Sequence, residues 1–206
     1  MTIGDSIIYV VDDDQSVLEA LSSLVRSIGL DVLCFSSAEA FLEQVKTRRH
    51  GCLILDVRMP EMSGLDVQKY LVESGDEIPI IFISGHGDIP MAVKAVKDGA
   101  VNFLTKPFRE EELLGAIRAA LKLDIEKTEA TNERDRIKQR YDSLSDREKQ
   151  VLPYILQGFL NKQTAVALGI SEATVKVHRH HIMKKMEAGS LPEVVRDMDK
   201  IKDQNK

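Results

Sequence analysis

The 206-residue chain has two cysteines, no apolar run of membrane-spanning length and no surplus of positive charge. Cys34 and Cys52 sit in apolar stretches without metal-ligand spacing, so both are expected as reduced core thiols of a cytoplasmic protein. No run approaches the roughly 18 apolar residues a membrane helix needs, and no secretory leader precedes the first polar turn. As a total, the formal net charge of −5 argues against a nucleic-acid binder. With 43% hydrophobic and 30% charged residues, the composition is that of a soluble globular protein rather than a disordered one. The length suits one generous domain or two small ones.

Summing charge by segment changes this picture. Residues 1–123 carry 12 basic and 19 acidic side chains, residues 124–141 five of each, and residues 142–206 eleven basic and nine acidic. Within 161–186, Lys162, Lys176, Arg179, Lys184 and Lys185 face only Glu172, and His178, His180 and His181 lie among them. Such asymmetry is a sign of an appended nucleic-acid module, with a solvated helix face as the plainer alternative.

The first part alternates strand-like and helical patterns. Ser6–Val11, Asp31–Phe35, Cys52–Asp56, Ile78–Ser84 and Asn102–Thr105 read as strands. Val17–Ile28, Ala38–Lys46, Leu65–Ser74, Met91–Lys97 and Glu110–Leu121 read as amphipathic helices. Five βα repeats with near-continuous apolar strands predict an α/β fold, a flavodoxin-like doubly wound parallel sheet covered on both faces. From Ala116 to Ser143 there is neither Gly nor Pro, so the last helix is expected to run on as a long helical linker. The second part is all-α, with capping boxes at Ser145–Glu148 and Ser190–Glu193 and a helix–turn–helix over 162–186. Pro153 falls inside the first of these helices, where a kink or unpaired carbonyls are expected.

Asp12, Asp13 and Asp14 stand where the first strand runs out, and Asp56 ends the third. Ser84 ends the fourth strand, and Lys106 follows the fifth. In a doubly wound sheet these ends converge, so carboxylates, a lysine and a hydroxyl meet in one pocket. Clustered carboxylates repel unless a hard cation lies among them, and few ligands plus phosphate oxygens favour Mg²⁺. These are the parts for phosphoryl transfer to an aspartate.

Over residues 5–123, Val-Asp-Asp-Asp, Leu-Asp-Val-Arg-Met-Pro-Glu-Met-Ser-Gly, Ile-Ser-Gly-His-Gly-Asp and Lys-Pro-Phe appear in an order that resembles the receiver domain of bacterial two-component response regulators. The resemblance implies that Asp56 accepts phosphate from a histidine kinase. It implies Mg²⁺ held by Asp13, Asp56 and the Arg58 backbone carbonyl, with Asp12 assisting through water. Lys106 would pair with the phosphoryl group, Ser84 and Phe103 would report it, and the Lys106–Pro107 bond would be cis. Arg58 and His86 occupy the positions that tune dephosphorylation in such proteins.

On the helix Glu172–Met186, Val175, Ile182 and Met186 share an apolar face. Ala173, Lys176, Val177, His180 and Lys184 project the opposite way, a face suited to the major groove. Thr174, His181 and Lys185 on one flank and Arg179 on the other are placed for phosphates, as is Lys162 at the start of the preceding helix. The histidine spacing does not bring three rings to one metal, and His178 is expected to pack.

Residues 142–200 resemble the LuxR/FixJ-type DNA-binding domain through Leu-Ser-Asp-Arg-Glu at 144–148, Asn161-Lys162, Leu-Gly-Ile-Ser at 168–171 and Thr-Val-Lys-Val-His at 174–178. Pro153 and Thr164 depart from its usual pattern. The resemblance implies a phosphorylation-switched transcription regulator with receiver (1–123), linker (124–141) and reader (142–206), which dimerises and binds double-stranded promoter DNA. RNA polymerase is a further candidate partner, and no enzyme activity is expected. A haloacid-dehalogenase-like phosphatase is the alternative, since Asp12-Asp13-Asp14 fits its opening motif, but it leaves Asp56 idle. A third reading makes the basic end a protein-interaction module.

Overall fold

The computed structural model describes residues 6–44, 50–85 and 89–202. Two compact units divide the chain at 127/128.

In the first unit, β1 (Ile7–Val11), β3 (Gly51–Asp56) and β4 (Ile80–Ser84) are buried along their whole length. Being covered on both faces, they carry unbroken apolar runs instead of alternating ones. The sheet is parallel, in the order β2-β1-β3-β4-β5, with β2 (Asp31–Phe35) and β5 (Asn102–Thr105) at its edges. This is the expected doubly wound order. Successive side chains leave opposite faces, so Val11, Leu55 and Phe82 join one core while Val10, Ile54 and Ile81 join the other. Helix α1 (Gln15–Ser27) and the start of α5 (Glu110–Asp142) cover the second core through Leu18, Leu21, Leu113 and Ile117. Helices α2 (Ala38–Gln44), α3 (Gly64–Glu73) and α4 (Ile89–Lys97) cover the first through Phe41, Val67, Leu71 and Ala95.

Two details differ from expectation, and a third lies outside what is described. Strand β4 begins at Ile80 because Pro79 has no N–H to give, although its carbonyl accepts from Leu53 at 2.9 Å. The expected end of α2 at Lys46 lies outside the described residues. Cys52 is buried as anticipated, but Cys34 is exposed and is not a core thiol. It lies on the edge strand β2, where only Val32 and Phe35 are buried.

Helix α5 is one 33-residue helix that crosses the division between the units. Asp124 and Lys127 belong to the first unit. Asp124 is fully buried and accepts the Gly51 N–H at 3.0 Å, while Lys127 pairs with Glu77 at 3.1 Å. In the second unit, Ile137 and Tyr141 of the same helix pack into a core with α6 (Asp146–Leu156), α7 (Asn161–Leu168), α8 (Glu172–Lys185) and α9 (Leu191–Lys202).

Ser145 and Glu148 form the expected reciprocal box at the start of α6. At α9 the Glu193 carboxylate reaches back to the Gly189 N–H, at 2.7 Å. Helix α6 runs on through Pro153, which removes the N–H that the Lys149 carbonyl would otherwise accept. Thr164 is fully buried, its hydroxyl satisfied by the Leu160 carbonyl at 3.2 Å. Gly169 adopts φ 64°, the left-handed cap that lets α7 stop and α8 begin at a new angle.

Candidate functional site

The carboxyl ends of β1, β3, β4 and β5 come together because parallel strands point the same way. Asp12 follows β1 and is 1% exposed, and Asp56 closes β3 and is 5% exposed. Lys106 Nζ donates to Asp12 Oδ2 at 2.6 Å and to Asp56 Oδ1 at 2.8 Å. The other oxygens are also used: Asp12 Oδ1 accepts the Asp14 N–H at 2.9 Å, and Asp56 Oδ2 accepts the Arg58 N–H at 2.6 Å. Burial outweighs these bonds at Asp12 and holds its carboxyl above the usual aspartate range. At Lys106 burial opposes the charge, but the two carboxylates prevail and raise the ammonium pKa.

Asp13 is exposed beside this cluster, whereas Asp14 caps α1, accepting from the Ser16 N–H at 2.8 Å and the Ser16 hydroxyl at 2.6 Å. Ser84 is buried at the end of β4, and its carbonyl accepts the Lys106 N–H at 2.8 Å. The Lys106–Pro107 bond is cis. Phe103 lies opposite Phe82 in the β4–β5 register, with ring centroids 6.2 Å apart, and packs half-buried against the first core. It stands three residues before Lys106 and is not part of the ionic cluster. His86 lies outside the described residues. One contributor that the sequence reading passed over is Gly64, where a Cβ would stand 2.3 Å from the Asp56 carbonyl oxygen. Gly64 closes the Leu-Asp-Val-Arg-Met-Pro-Glu-Met-Ser-Gly motif, but the motif by itself does not show that contact.

In the second unit α7, the Gly169–Ser171 turn and α8 form the helix–turn–helix. Ser171 caps α8 by accepting the Thr174 N–H at 3.0 Å, and the Thr174 hydroxyl meets the Ser171 hydroxyl at 2.8 Å. Val175, Ile182 and Met186 are fully buried, as the periodicity required. Lys176, Val177, His180 and Lys184 are exposed, and so is Lys162 on α7. Val177 is 52% exposed among cations, which packing within this unit does not explain. Arg179 donates to the Phe159 carbonyl at 3.1 Å. His178 Nδ1 is buried without a hydrogen-bond partner, in keeping with a packed ring.

Comparison with known proteins supplies the family. The response regulator receiver domain matches residues 8–118, and the luxR family of bacterial regulatory proteins matches residues 142–198. The chain is a response regulator. Response regulator protein TmoT of Ectopseudomonas mendocina is 67% identical over 97% of this chain and 90% of its own length. Transcriptional regulatory protein FixJ of Rhizobium meliloti is 41% identical over 93% of this chain and 94% of its own. Among solved structures, response regulator StyR superposes with a TM-score of 0.88 at 49% identity, covering 95% of this chain and 99% of that one.

The response regulator thus combines a receiver with a LuxR-type helix–turn–helix and regulates transcription within a two-component system. These relationships support that reading and not the phosphatase alternative. Among the described residues no helix is long and apolar enough to cross a membrane. Receiver domains generally bind Mg²⁺ at the acceptor aspartate. The oxygen-only donors of Asp13 and Asp56 fit such a hard cation, which takes one or two carboxylates and completes its shell with water and phosphate oxygens.

Proposed function

We propose that Asp56 is the phosphoacceptor, and that its phosphorylation by a sensor histidine kinase switches promoter binding by the second unit. The observation that carries this reading is the double contact of Lys106 with Asp12 and Asp56 at the sheet edge. A carboxylate oxygen of Asp56 attacks the phosphorus of the kinase phosphohistidine. The new O–P bond forms as the P–N bond breaks, and the departing imidazole nitrogen takes a proton. Mg²⁺, held by Asp13, Asp56 and the Arg58 carbonyl with Asp12 nearby, would neutralise charge on the transferring group.

Lys106 is already beside the reacting carboxylate, so it needs little movement to accept a phosphoryl oxygen as its new partner. The Ser84 hydroxyl supplies a donor to another phosphoryl oxygen. Phe103 is the aromatic whose packing follows that change. Ile89, Val93 and Val96 leave an apolar stripe exposed on α4, which supports homodimerisation through this side of the receiver. A dimer places two readers on a two-fold site in double-stranded promoter DNA, with RNA polymerase as a further candidate partner.

In the reader, Lys176, Val177 and His180 are assigned to base edges, and Lys162, Thr174, Arg179 and Lys184 to the backbone. In this scheme residues 124–141 join a receiver (1–123) to the DNA-binding domain (142–206), and the protein works in the cytoplasm, where promoter DNA lies.

The test uses Asp56→Asn and Asp56→Ala in the full chain with a small phosphodonor. Both variants are expected to lose the label and the phosphodonor-dependent gain in genomic DNA capture. Retained labelling together with normal dimerisation would overturn the assignment of Asp56. Turnover of a small phosphoester, instead of stoichiometric labelling, would restore the phosphatase reading.

A further inference from the structure

Two exposed side chains on the recognition helix, Lys185 and His181, lie against the same buried acid of α6. Lys185 Nζ donates to Glu148 Oε2 at 2.7 Å and to the Ser143 carbonyl at 3.2 Å. His181, one turn earlier on the same flank, places Nδ1 3.6 Å from Glu148 Oε1. Glu148 is 3% exposed and also accepts the Ser145 N–H at 2.8 Å through Oε2. One buried carboxylate therefore closes the capping box of α6 and anchors the last turn of α8. Resting on the DNA-reading role of α8, we infer that Glu148 and Lys185 are a positioning pair that fixes the angle of the recognition helix, and that Lys185 is not a phosphate contact.

The physical case has three parts. A buried carboxylate without a partner is costly, so Glu148 holds whichever cation satisfies it. The bond ties the C-terminal turn of α8 to the N-terminal turn of α6, while Val175 in the first turn of α8 and Ile182 in its second half pack into the core. A helix held to the core along one face can still roll or tilt about that face, and the bond at its last turn limits this; base reading demands that the tips of Lys176 and His180 be placed to within a fraction of an ångström. Lys184, the neighbouring cation, is exposed and makes no such tie among the described contacts, so it remains available to phosphate.

A phosphate-binding lysine and a positioning lysine leave different signatures. Loss of a phosphate contact weakens binding to all sequences alike and lowers the slope of log affinity against log salt by about one. Loss of a positioning contact erodes discrimination and leaves that slope unchanged. The probe is a duplex selected by the full-length, phosphodonor-treated protein from a random-sequence pool, with a scrambled duplex of equal length as the reference.

Lys185→Met is expected to lower the ratio of selected to scrambled affinity about tenfold, at the wild-type salt slope. Lys185→Arg should restore most of the ratio, because the guanidinium can reach the same carboxylate. Glu148→Gln should resemble Lys185→Met, and the double variant should be no worse than either single one. Lys184→Met, as the contrasting case, should lower the salt slope. A reduced slope for Lys185→Met, an unchanged discrimination ratio, or additive losses in the double variant would each overturn the assignment. If Glu148→Gln fails to fold, by circular dichroism, the two Lys185 variants decide the matter. If the wild-type protein selects no duplex, the DNA-reading role itself falls, and this assignment with it.

Discussion

Asp124, on the long helix α5, accepts the backbone N–H of Gly51, the first residue of β3, at 3.0 Å. The opposite end of that strand carries Asp56. His50 Nδ1 lies 3.3 Å from the same carboxylate oxygen, so the start of β3 is tied to the helix by a fully buried acid.

Replacing Asp124 should therefore weaken the first unit. Asp124→Ala leaves the Gly51 N–H without this acceptor in a closed site, at an expected cost of about 1–3 kcal/mol. Asp124→Asn keeps an acceptor oxygen and should cost less. Urea unfolding of the full chain measures both, and equal midpoints for wild type and Asp124→Ala would show the tie to be dispensable.

Gly64 opens α3 with its α-carbon against the Asp56 backbone. Because an added Cβ would meet the Asp56 carbonyl oxygen at 2.3 Å, Gly64→Ala must push apart the start of α3 and the end of β3. The expected effects are a stability loss of about 1–3 kcal/mol and slower labelling of Asp56 by a small phosphodonor. Timed labelling checks this, with Gly75→Ala as a control because no atom lies within 4 Å of its added Cβ. The control should lose only the smaller backbone cost of a residue at φ +74°. Wild-type labelling by Gly64→Ala would contradict the steric argument.

The exposed residues of the helix–turn–helix should separate by salt dependence. Lys176→Ala is expected to cost about 1–3 kcal/mol on a selected duplex and to relax preference at a particular base pair. Lys162→Ala should weaken all duplexes evenly and lower the salt slope by about one. Fluorescence anisotropy titrations over a salt series distinguish the two; an identical response from both variants would refute the division into base and backbone contacts.

Acid should loosen the second unit by removing the charge of Glu148. Burial alone would raise the Glu148 pKa, but the Lys185 ammonium and the N–H and hydroxyl of Ser145 lower it below the usual glutamate value. A depressed folded-state pKa means that the stabilisation is fully present above the unfolded value, near pH 4.3, and disappears as pH falls through the folded one. Stability of the second unit should fall over that acid range, and Glu148→Gln should flatten the fall. Denaturation followed at several acid pH values measures the difference, and parallel curves would remove Glu148 as the source.

Much of the site was legible because its residues sit at strand ends. Strong apolar runs located β1, β3 and β4, the right-handed crossover rule limited their order, and parallel ends then brought Asp12, Asp56, Ser84 and Lys106 to one edge. Helical periodicity likewise separated the buried face of Val175, Ile182 and Met186 from the exposed face of Lys176, Val177 and His180. Where the reading fell short, the deciding partner was remote. Its apolar stretch assigned Cys34 to a core, but β2 stands at the sheet edge. Helical periodicity placed Lys185 on a flank for phosphates and gave no sign that Glu148 lies there too.

The sequence by itself determined the local patterns: strand and helix periods, the capping box at Ser145, the acidic first half and the basic helix. Each depends on residues within about one or two turns of one another. Only the tertiary structure decided which buried acid meets which donor. Asp124 reaches Gly51 across 73 residues and Glu148 reaches Lys185 across 37, and such pairings arise from how whole elements pack. A lone acid in a charged helix looks solvated until a neighbouring element covers it, and burial is then what makes its partner obligatory.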